Sequence, residues 1–369
     1  MSASTKVMVR RPERSGLPDA PPVRLLIVDD SSVARAVLSR MVTAHPGFEV
    51  AGTASNVAEA LAVLRRINVD IVLLDIQMPG GDGIEALPEV IEAGRGARVL
   101  IVSSVAADGA ETTVRALALG AADTMPKPSS GMFGGAFSEM LADRLRRIGR
   151  VGAIERCEGS PPAGNVVRLR EVSDWQPACI AIGASTGGIH AISEFMAALP
   201  PGLGLPIFVT QHLPPLFMPY FARQLESASG RTARVVQDED PVEPDHIHVA
   251  PGNAHLRLVR RGVRVRIKLD TAPAPSGCLP SVDPMLASVG EVYGRGGVAV
   301  MLSGMGRDGL IGSSQLVTAG GIVLAQDQFS SAIWGMPRAV AEAGLATAAL
   351  PPRELARRIA SRAGTRSWK

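Results

Sequence analysis

The chain has few cysteines and no long apolar segment. Cys157, Cys179 and Cys278 are the three cysteines among 369 residues, and no two of them have CxxC spacing. So few cysteines, in an odd number, argue against disulfide bonds and a zinc site and favour a reducing compartment. No apolar run approaches the length of a membrane span, and the polar, basic N-terminus lacks the apolar core of a signal peptide. We therefore expect a cytoplasmic protein without membrane insertion.

Aromatic residues and net charge are also low. Aromatics make up 4% of the chain, whereas glycine is abundant at 39 residues, a balance that suits α/β domains with many strand-to-helix turns. A net charge of +3 gives no support for nucleic-acid binding, although the sequence pI of about 9.0 leaves that question open. The length favours two or three domains.

The pattern of apolar residues divides the chain into four parts. Residues 1–22 combine prolines with charges and predict a disordered tail. Residues 23–149 alternate short apolar strands with amphipathic helices, and residues 177–369 repeat that alternation and add a hairpin. Both patterns predict doubly wound parallel sheets of the α/β class. The Gly- and Pro-rich residues 150–176 predict a linker.

Acidic residues follow two predicted strands of the first domain. Asp29 and Asp30 come after Leu25–Val28, and Asp75 comes after Ile71–Leu74. The carboxyl ends of parallel strands share one edge, so these carboxylates would repel one another unless a cation such as Mg²⁺ neutralised them. Asp75 could then accept a phosphoryl group as a carboxylate nucleophile. Each residue taken alone is better interpreted as a solvated loop charge or a helix cap. Two further polar residues end later strands, Ser103 and Lys127.

The joint pattern resembles the response-regulator receiver family over about residues 23–145. The segments LLIVDDS, DIVLLDIQMPGGDGIE and GAADTMPKP carry the resemblance. It implies a flavodoxin-like fold, phosphorylation of Asp75 by a histidine kinase, and Mg²⁺ held with the help of Asp29 and Asp30. It also implies that Ser103 and Lys127 contact the phosphoryl group. Thr124 stands where receivers often carry an aromatic residue, which indicates that the signal passes through a domain interface instead.

A glycine-rich turn, Gly183–Gly188, lies between a predicted strand and a helix in the second domain. It lacks the GxGxxG and GK[ST] spacings of nucleotide-binding loops and the GxSxG of α/β-hydrolases. On this motif alone, Ser185 is better interpreted as a helix cap. His212 and Asp308 change that balance, because each follows a strand and would project from the same edge. Asp283 is the alternative acid, although it is more typical of a helix start.

Residues 177–345 resemble the catalytic domain of chemotaxis protein-glutamate methylesterases. The segments are IGASTGG, TQHLPPLF, HVAPGNAHL, PSVDPML, MLSGMGRDG and LAQDQFSSAIWGMP. The resemblance implies a Rossmann-like hydrolytic domain with Ser185 as nucleophile, His212 as base and Asp308 as orienting acid, without a cofactor for ester hydrolysis. Thr186 and Met305 match positions that shape the site or its oxyanion hole. Cys278 and Leu279 depart from the family pattern, which puts substrate contacts there in doubt.

The resemblance implies a phosphorylation-activated enzyme that demethylates methyl-accepting chemotaxis receptors and deamidates receptor glutamines. We expect the unphosphorylated receiver to cover the catalytic edge, and the alternative is a receiver that only recruits the enzyme. A nucleic-acid-binding output is the main rival function, but no helix-turn-helix pattern follows the linker. The basic stripe of the hairpin could meet acidic receptor helices, although an ordinary solvated face is the favoured interpretation. Its members are Arg257, Arg260, Arg264, Arg266 and Lys268.

Overall fold

The computed structural model describes residues 21–78, 81–103, 107–127, 135–154, 168–172 and 174–363. Almost all of the predicted tail and residues 155–167 of the predicted linker lie outside these ranges. Helix α5 extends to Ile154, five residues into the predicted linker. No helix in the described ranges is long and apolar enough to cross a membrane.

The first domain is a five-stranded parallel sheet with helices on both faces. Its strand order is β2-β1-β3-β6-β7, the flavodoxin-like order. The central strands are almost fully buried, as their uninterrupted apolar runs predict. The elements are β1 (Val23–Val28), α1 (Ser32–Thr43), β2 (Phe48–Ala54), α2 (Val57–Arg66), β3 (Ile71–Leu74), β4 (Gln77–Met78), β5 (Gly81–Asp82), α3 (Leu87–Ala93), β6 (Arg98–Ser103), α4 (Ala107–Ala118), β7 (Asp123–Pro126) and α5 (Gly135–Ile154).

The second domain contains a seven-stranded parallel sheet with the order β10-β11-β9-β8-β14-β15-β16. The order reverses between β8 and β14, and such a reversal opens a crevice at the carboxyl edge of the sheet. The elements are β8 (Cys179–Ala184), α6 (Gly188–Ala198), β9 (Ile207–Gln211), α7 (Met218–Ser229), β10 (Ala233–Val235), β11 (Ile247–Val249), β12 (His255–Arg261), β13 (Arg264–Asp270), α8 (Val282–Tyr293), β14 (Gly297–Met301), α9 (Leu310–Thr318), β15 (Ile322–Gln326), α10 (Met336–Glu342), β16 (Ala348–Leu350) and α11 (Pro352–Ala363).

Strands β12 and β13 form the expected antiparallel hairpin. Its basic side chains engage acids of the same chain: Arg257 lies 3.4 Å from Asp270, and Lys268 lies 2.7 Å from Asp238. These internal pairs support the interpretation of the stripe as an ordinary solvated face.

Helix α4 of the first domain packs against α6 and α7 of the second. Apolar side chains of the two domains belong to one continuous buried cluster, which includes Val114 and Leu117 on α4 and Ile189 on α6. This docking places one end of the receiver over the carboxyl edge of the second sheet.

Candidate active site

The three acidic residues of the first domain converge as predicted. Carboxylate oxygens of Asp29, Asp30 and Asp75 lie within 4.8 Å of one another. Asp29 and Asp75 are buried, whereas Asp30 is exposed. Nζ of Lys127 lies 2.8 Å from Asp29 and 2.7 Å from Asp75. The side chain of Ser103 lies outside the described part of the chain, although its backbone ends β6 as predicted.

This cluster has the donors that a hard cation requires. Oδ2 of Asp29 is buried and faces Lys127, yet no aligned hydrogen-bond donor of the described residues reaches it. Burial raises the pKa of Asp75 although Lys127 opposes the shift. Burial disfavours the ammonium of Lys127, but its contacts with Asp29 and Asp75 outweigh that cost and raise its pKa. One Lys therefore partly neutralises three carboxylates, so the site fits a Mg²⁺ ion.

The glycine-rich turn holds Ser185 between β8 and α6. Ser185 N–H donates to the carbonyl of Ser303 at 3.0 Å, which ties the turn to the end of β14. Gly187 has a φ of +73°, and a Cβ there would lie 2.3 Å from Cβ of Ala332. A larger residue would therefore displace the turn. Ser185 thus lies at the crevice between β8 and β14, where the strand order reverses.

His212 follows β9 and lies beside Asp308. Its Nε2 is 2.7 Å from Oδ2 of Asp308, and its backbone N–H donates to the carbonyl of Ala184 at 3.1 Å. Burial alone favours the neutral ring, but the hydrogen bond to Asp308, with a further effect of Cys278, raises the pKa of His212 to about 9. The contact with Asp308 therefore makes His212 a stronger base.

Asp308 is held by two further donors. Ser281 Oγ donates to its Oδ1 at 2.6 Å, and Val282 N–H donates to its Oδ2 at 2.7 Å. Burial would favour the protonated acid, but these bonds and His212 lower the pKa of Asp308 to about 2. The carboxylate is thus charged and fixed toward His212.

The alternative acid, Asp283, occupies the first turn of α8, as its sequence context indicated. Its Oδ1 accepts from Gly312 N–H at 2.7 Å, and Ser281 caps the same helix. Burial and the neighbouring Asp308 carboxylate raise the pKa of Asp283 to about 6. Among the described side chains, His212 pairs with Asp308 and not with Asp283.

Several supporting residues were absent from the sequence-based site. The side chain of Gln211 donates to the carbonyl of Ser185 at 2.8 Å. His255 is buried, and its Nδ1 accepts from Ser281 N–H at 2.8 Å. It therefore positions the residue that holds Asp308. Of these two residues, only Gln211 could have been predicted from the sequence, because it directly precedes His212.

The two remaining predicted residues lie on opposite sides of the site. Thr186 follows Ser185, and its carbonyl accepts from Ser303 Oγ at 2.8 Å. Met305 is 40% exposed on the outer side of the site, where it lines a small cavity of about 300 Å³ with Cys278 and Asp308.

A larger cavity of about 700 Å³ lies between the two domains above Ser185 and His212. The receiver wall includes Thr124 and Arg144, and the opposite wall includes Phe217. Gly187 N–H donates to the carbonyl of Ala122 at 3.0 Å, and His190 Nδ1 lies 2.8 Å from the carbonyl of Ala118. The receiver thus forms one side of the candidate catalytic pocket.

Known proteins share this two-domain arrangement. Residues 25–132 match the response regulator receiver domain, and residues 180–359 match the CheB methylesterase domain. A protein of Nitrobacter hamburgensis named protein-glutamate methylesterase/protein-glutamine glutaminase is 39% identical, over 92% of this chain and 93% of the relative. The chain belongs to this methylesterase family.

A second relative and a solved structure are also similar to this chain. A Bradyrhizobium diazoefficiens protein with the same family name, of the group 2 operon, is 37% identical over 92% of this chain and 94% of its own length. The crystal structure of the Thermotoga maritima CheB methylesterase catalytic domain is 34% identical, with a TM-score of 0.49, and covers 50% of this chain and 98% of its own. The matching domain families and the two named relatives confirm the sequence-based assignment of family, and the two parallel sheets confirm the α/β fold class.

Proposed function

We propose that this protein hydrolyses glutamate γ-methyl esters on methyl-accepting chemotaxis receptors and deamidates specific receptor glutamines. The observation that carries this proposal is the 2.7 Å contact between His212 and Asp308 at the sheet edge where Ser185 directly follows β8. The names of the relatives support the substrate class.

The ester reaction follows from these positions. Ser185 Oγ attacks the side-chain carbonyl carbon of the methyl ester while His212 accepts its proton. Because Nε2 of His212 is engaged with Asp308, Nδ1 is the ring nitrogen that takes this proton. His212 then protonates the departing methoxide, which leaves as methanol. Water attacks the acyl-enzyme by the same route and releases glutamate and free Ser185. With glutamine, the first leaving group is ammonia.

The negative charge on the attacked carbonyl oxygen requires hydrogen-bond donors. Backbone N–H groups at the start of α6, among them that of Gly187, support this role because a helix N-terminus favours negative charge. Each such donor contributes about 3–4 kcal/mol to transition-state stabilisation in comparable enzymes.

The receiver controls this chemistry through Asp75. A histidine kinase is the phosphodonor, and Asp29, Asp30 and Asp75 would hold a Mg²⁺ ion that offsets the charge of the transferred phosphoryl group. Lys127, which contacts both Asp29 and Asp75, would engage a phosphoryl oxygen.

The docked receiver inhibits the catalytic domain, and phosphorylation relieves this inhibition. In the described arrangement the receiver forms one wall of the cavity above Ser185. A receptor helix about 10–12 Å in diameter would therefore have to displace the receiver to bring a side chain to Ser185. Phosphorylation only has to make the open arrangement more stable than the closed one by a few kcal/mol. The tether keeps the closed arrangement favoured until then.

Methanol release from methylated receptor membranes tests the function directly. We expect full-length protein to release methanol slowly, and faster with a small phosphodonor and Mg²⁺. Residues 177–369 alone should release it at the higher rate without either. No release under any of these conditions would contradict the methylesterase function, and equal rates in all of them would contradict inhibition by the receiver.

A further inference from the structure

The outer side of the candidate catalytic site carries three metal-binding groups of different kinds. A ring nitrogen of His212, Sγ of Cys278 and a carboxylate oxygen of Asp308 lie within 4.8 Å of one another. Cys278 is half-buried in the loop before α8. Its Sγ makes a weak contact of 3.9 Å with the carbonyl of Ser276 and also interacts with the His212 ring. The thiol therefore already faces the His212 ring, and it borders the solvent-facing cavity of about 300 Å³.

We propose that His212, Cys278 and Asp308 form an inhibitory binding site for Zn²⁺. Zinc binds thiolate, imidazole and carboxylate at about 2.0–2.3 Å, often with three protein ligands and one water. Donors of a tetrahedral site with those bond lengths lie roughly 3.3–3.8 Å apart. The 2.7 Å contact between His212 and Asp308 therefore has to open by more than about 0.5 Å to admit the ion, while the sulfur of Cys278 adjusts to both. Rotation of the short Cys278 side chain moves the sulfur toward the ion, because its contact with the Ser276 carbonyl is long and weak.

The donor set selects zinc over the cation of the receiver. Thiolate and imidazole suit zinc, whereas Mg²⁺ prefers oxygen ligands such as Asp29, Asp30 and Asp75. These two clusters, both found among the described residues, therefore take different metals. Millimolar Mg²⁺ competes with zinc at the carboxylate cluster more effectively than at Cys278.

Zinc at this position stops the hydrolase by occupying its base. The ion binds a lone pair of the His212 ring and an oxygen of Asp308, so the imidazole can neither accept the Ser185 proton nor keep its orientation. Inhibition therefore rests on the proposed function, whereas metal binding itself does not.

Direct binding is measured with Co²⁺ as a spectroscopic substitute for Zn²⁺, because thiolate ligation of Co²⁺ produces a near-ultraviolet charge-transfer band. The protein is full-length Ser185→Ala with Cys157→Ser, in millimolar Mg²⁺, so that neither turnover nor the thiol of Cys157 contributes. We expect a band that Zn²⁺ abolishes. Cys278→Ser and Cys278→Ala should lack it, and Cys179→Ser, a change in buried β8, is the matched control that should keep it.

Inhibition is measured on protein with Ser185 intact, each variant relative to its own rate in chelator. We expect Zn²⁺ to inhibit reversibly and the Cys278 variants to need at least tenfold more Zn²⁺ for half-inhibition than Cys179→Ser. An unchanged cobalt band or unchanged zinc sensitivity in both Cys278 variants would overturn the metal site. A cobalt band that depends on Cys278 without any ester hydrolysis by wild type would instead uphold the metal site and refute the proposed function.

Discussion

Gly187 N–H, two residues after Ser185, donates a 3.0 Å hydrogen bond to the carbonyl oxygen of Ala122 on the receiver. A peptide carbonyl of the regulatory domain thus occupies a donor that the proposed reaction would use for the substrate oxyanion. Ala122 directly precedes β7, and this strand leads to Lys127 beside Asp75. One short segment therefore connects the candidate phosphorylation site with the candidate catalytic pocket.

A substitution that weakens the interface between the receiver and the catalytic domain should activate the enzyme. Leu117 on α4 is buried and lines the interdomain cavity, so Leu117→Asp should place an unpaired charge in the interface and favour the open arrangement. We expect basal methanol release to rise severalfold without phosphodonor. Leu119→Asp, on the same segment but already 38% exposed, is the matched control and should leave the basal rate low. Phosphorylation of Asp75 in both variants would verify that the receiver remains folded.

Ser185 is the expected nucleophile of ester hydrolysis. Ser185→Ala should lower methanol release by at least about a thousandfold, and His212→Ala nearly as much, because the groups of a triad act as a unit. Both variants should accept phosphate at Asp75 normally, since the two sites share no residue. Wild-type release by Ser185→Ala would show that another group attacks the ester.

Asp308 should determine how kcat/KM for ester hydrolysis depends on pH. His212 must be neutral to accept a proton, and its pKa is raised to about 9, so kcat/KM should increase as the pH rises toward that value. Asp308→Asn removes the charge that stabilises the imidazolium, so the inflection should move to lower pH. The maximum rate should also fall, although less than in Ser185→Ala.

Asp283→Asn is the control for that profile, because Asp283 binds Gly312 and does not contact His212. Its inflection should stay near that of wild type. The measurement is the pH profile of phosphodonor-activated full-length protein. An inflection that follows Asp283 rather than Asp308 would identify Asp283 as the partner of the base.

Metal dependence should separate the two domains. Phosphorylation of Asp75 by a small phosphodonor should require Mg²⁺ and should be lost in Asp75→Asn, because three clustered carboxylates otherwise repel the phosphoryl group. Ester hydrolysis by residues 177–369 should continue in EDTA. Strong inhibition of that fragment by EDTA would indicate a metal-dependent hydrolase instead.

Much of this protein follows from its sequence alone. Short apolar runs such as Ile71–Leu74 are strands with the predicted bounds, because a buried parallel strand tolerates few polar residues. The candidate acids, base and nucleophile were identifiable because parallel strands bring their carboxyl ends to one edge, whatever lies between them in the chain.

Tertiary structure alone decided which of these residues meet. Asp283 and Asp308 both follow recognisable patterns, but the bonds from Ser281 and Val282 direct Asp308 toward His212. The bond between Ala122 and Gly187, and the position of Cys278 beside His212, join segments that are distant in the chain. Such contacts depend on how whole domains and loops pack, and local periodicity carries no information about that packing.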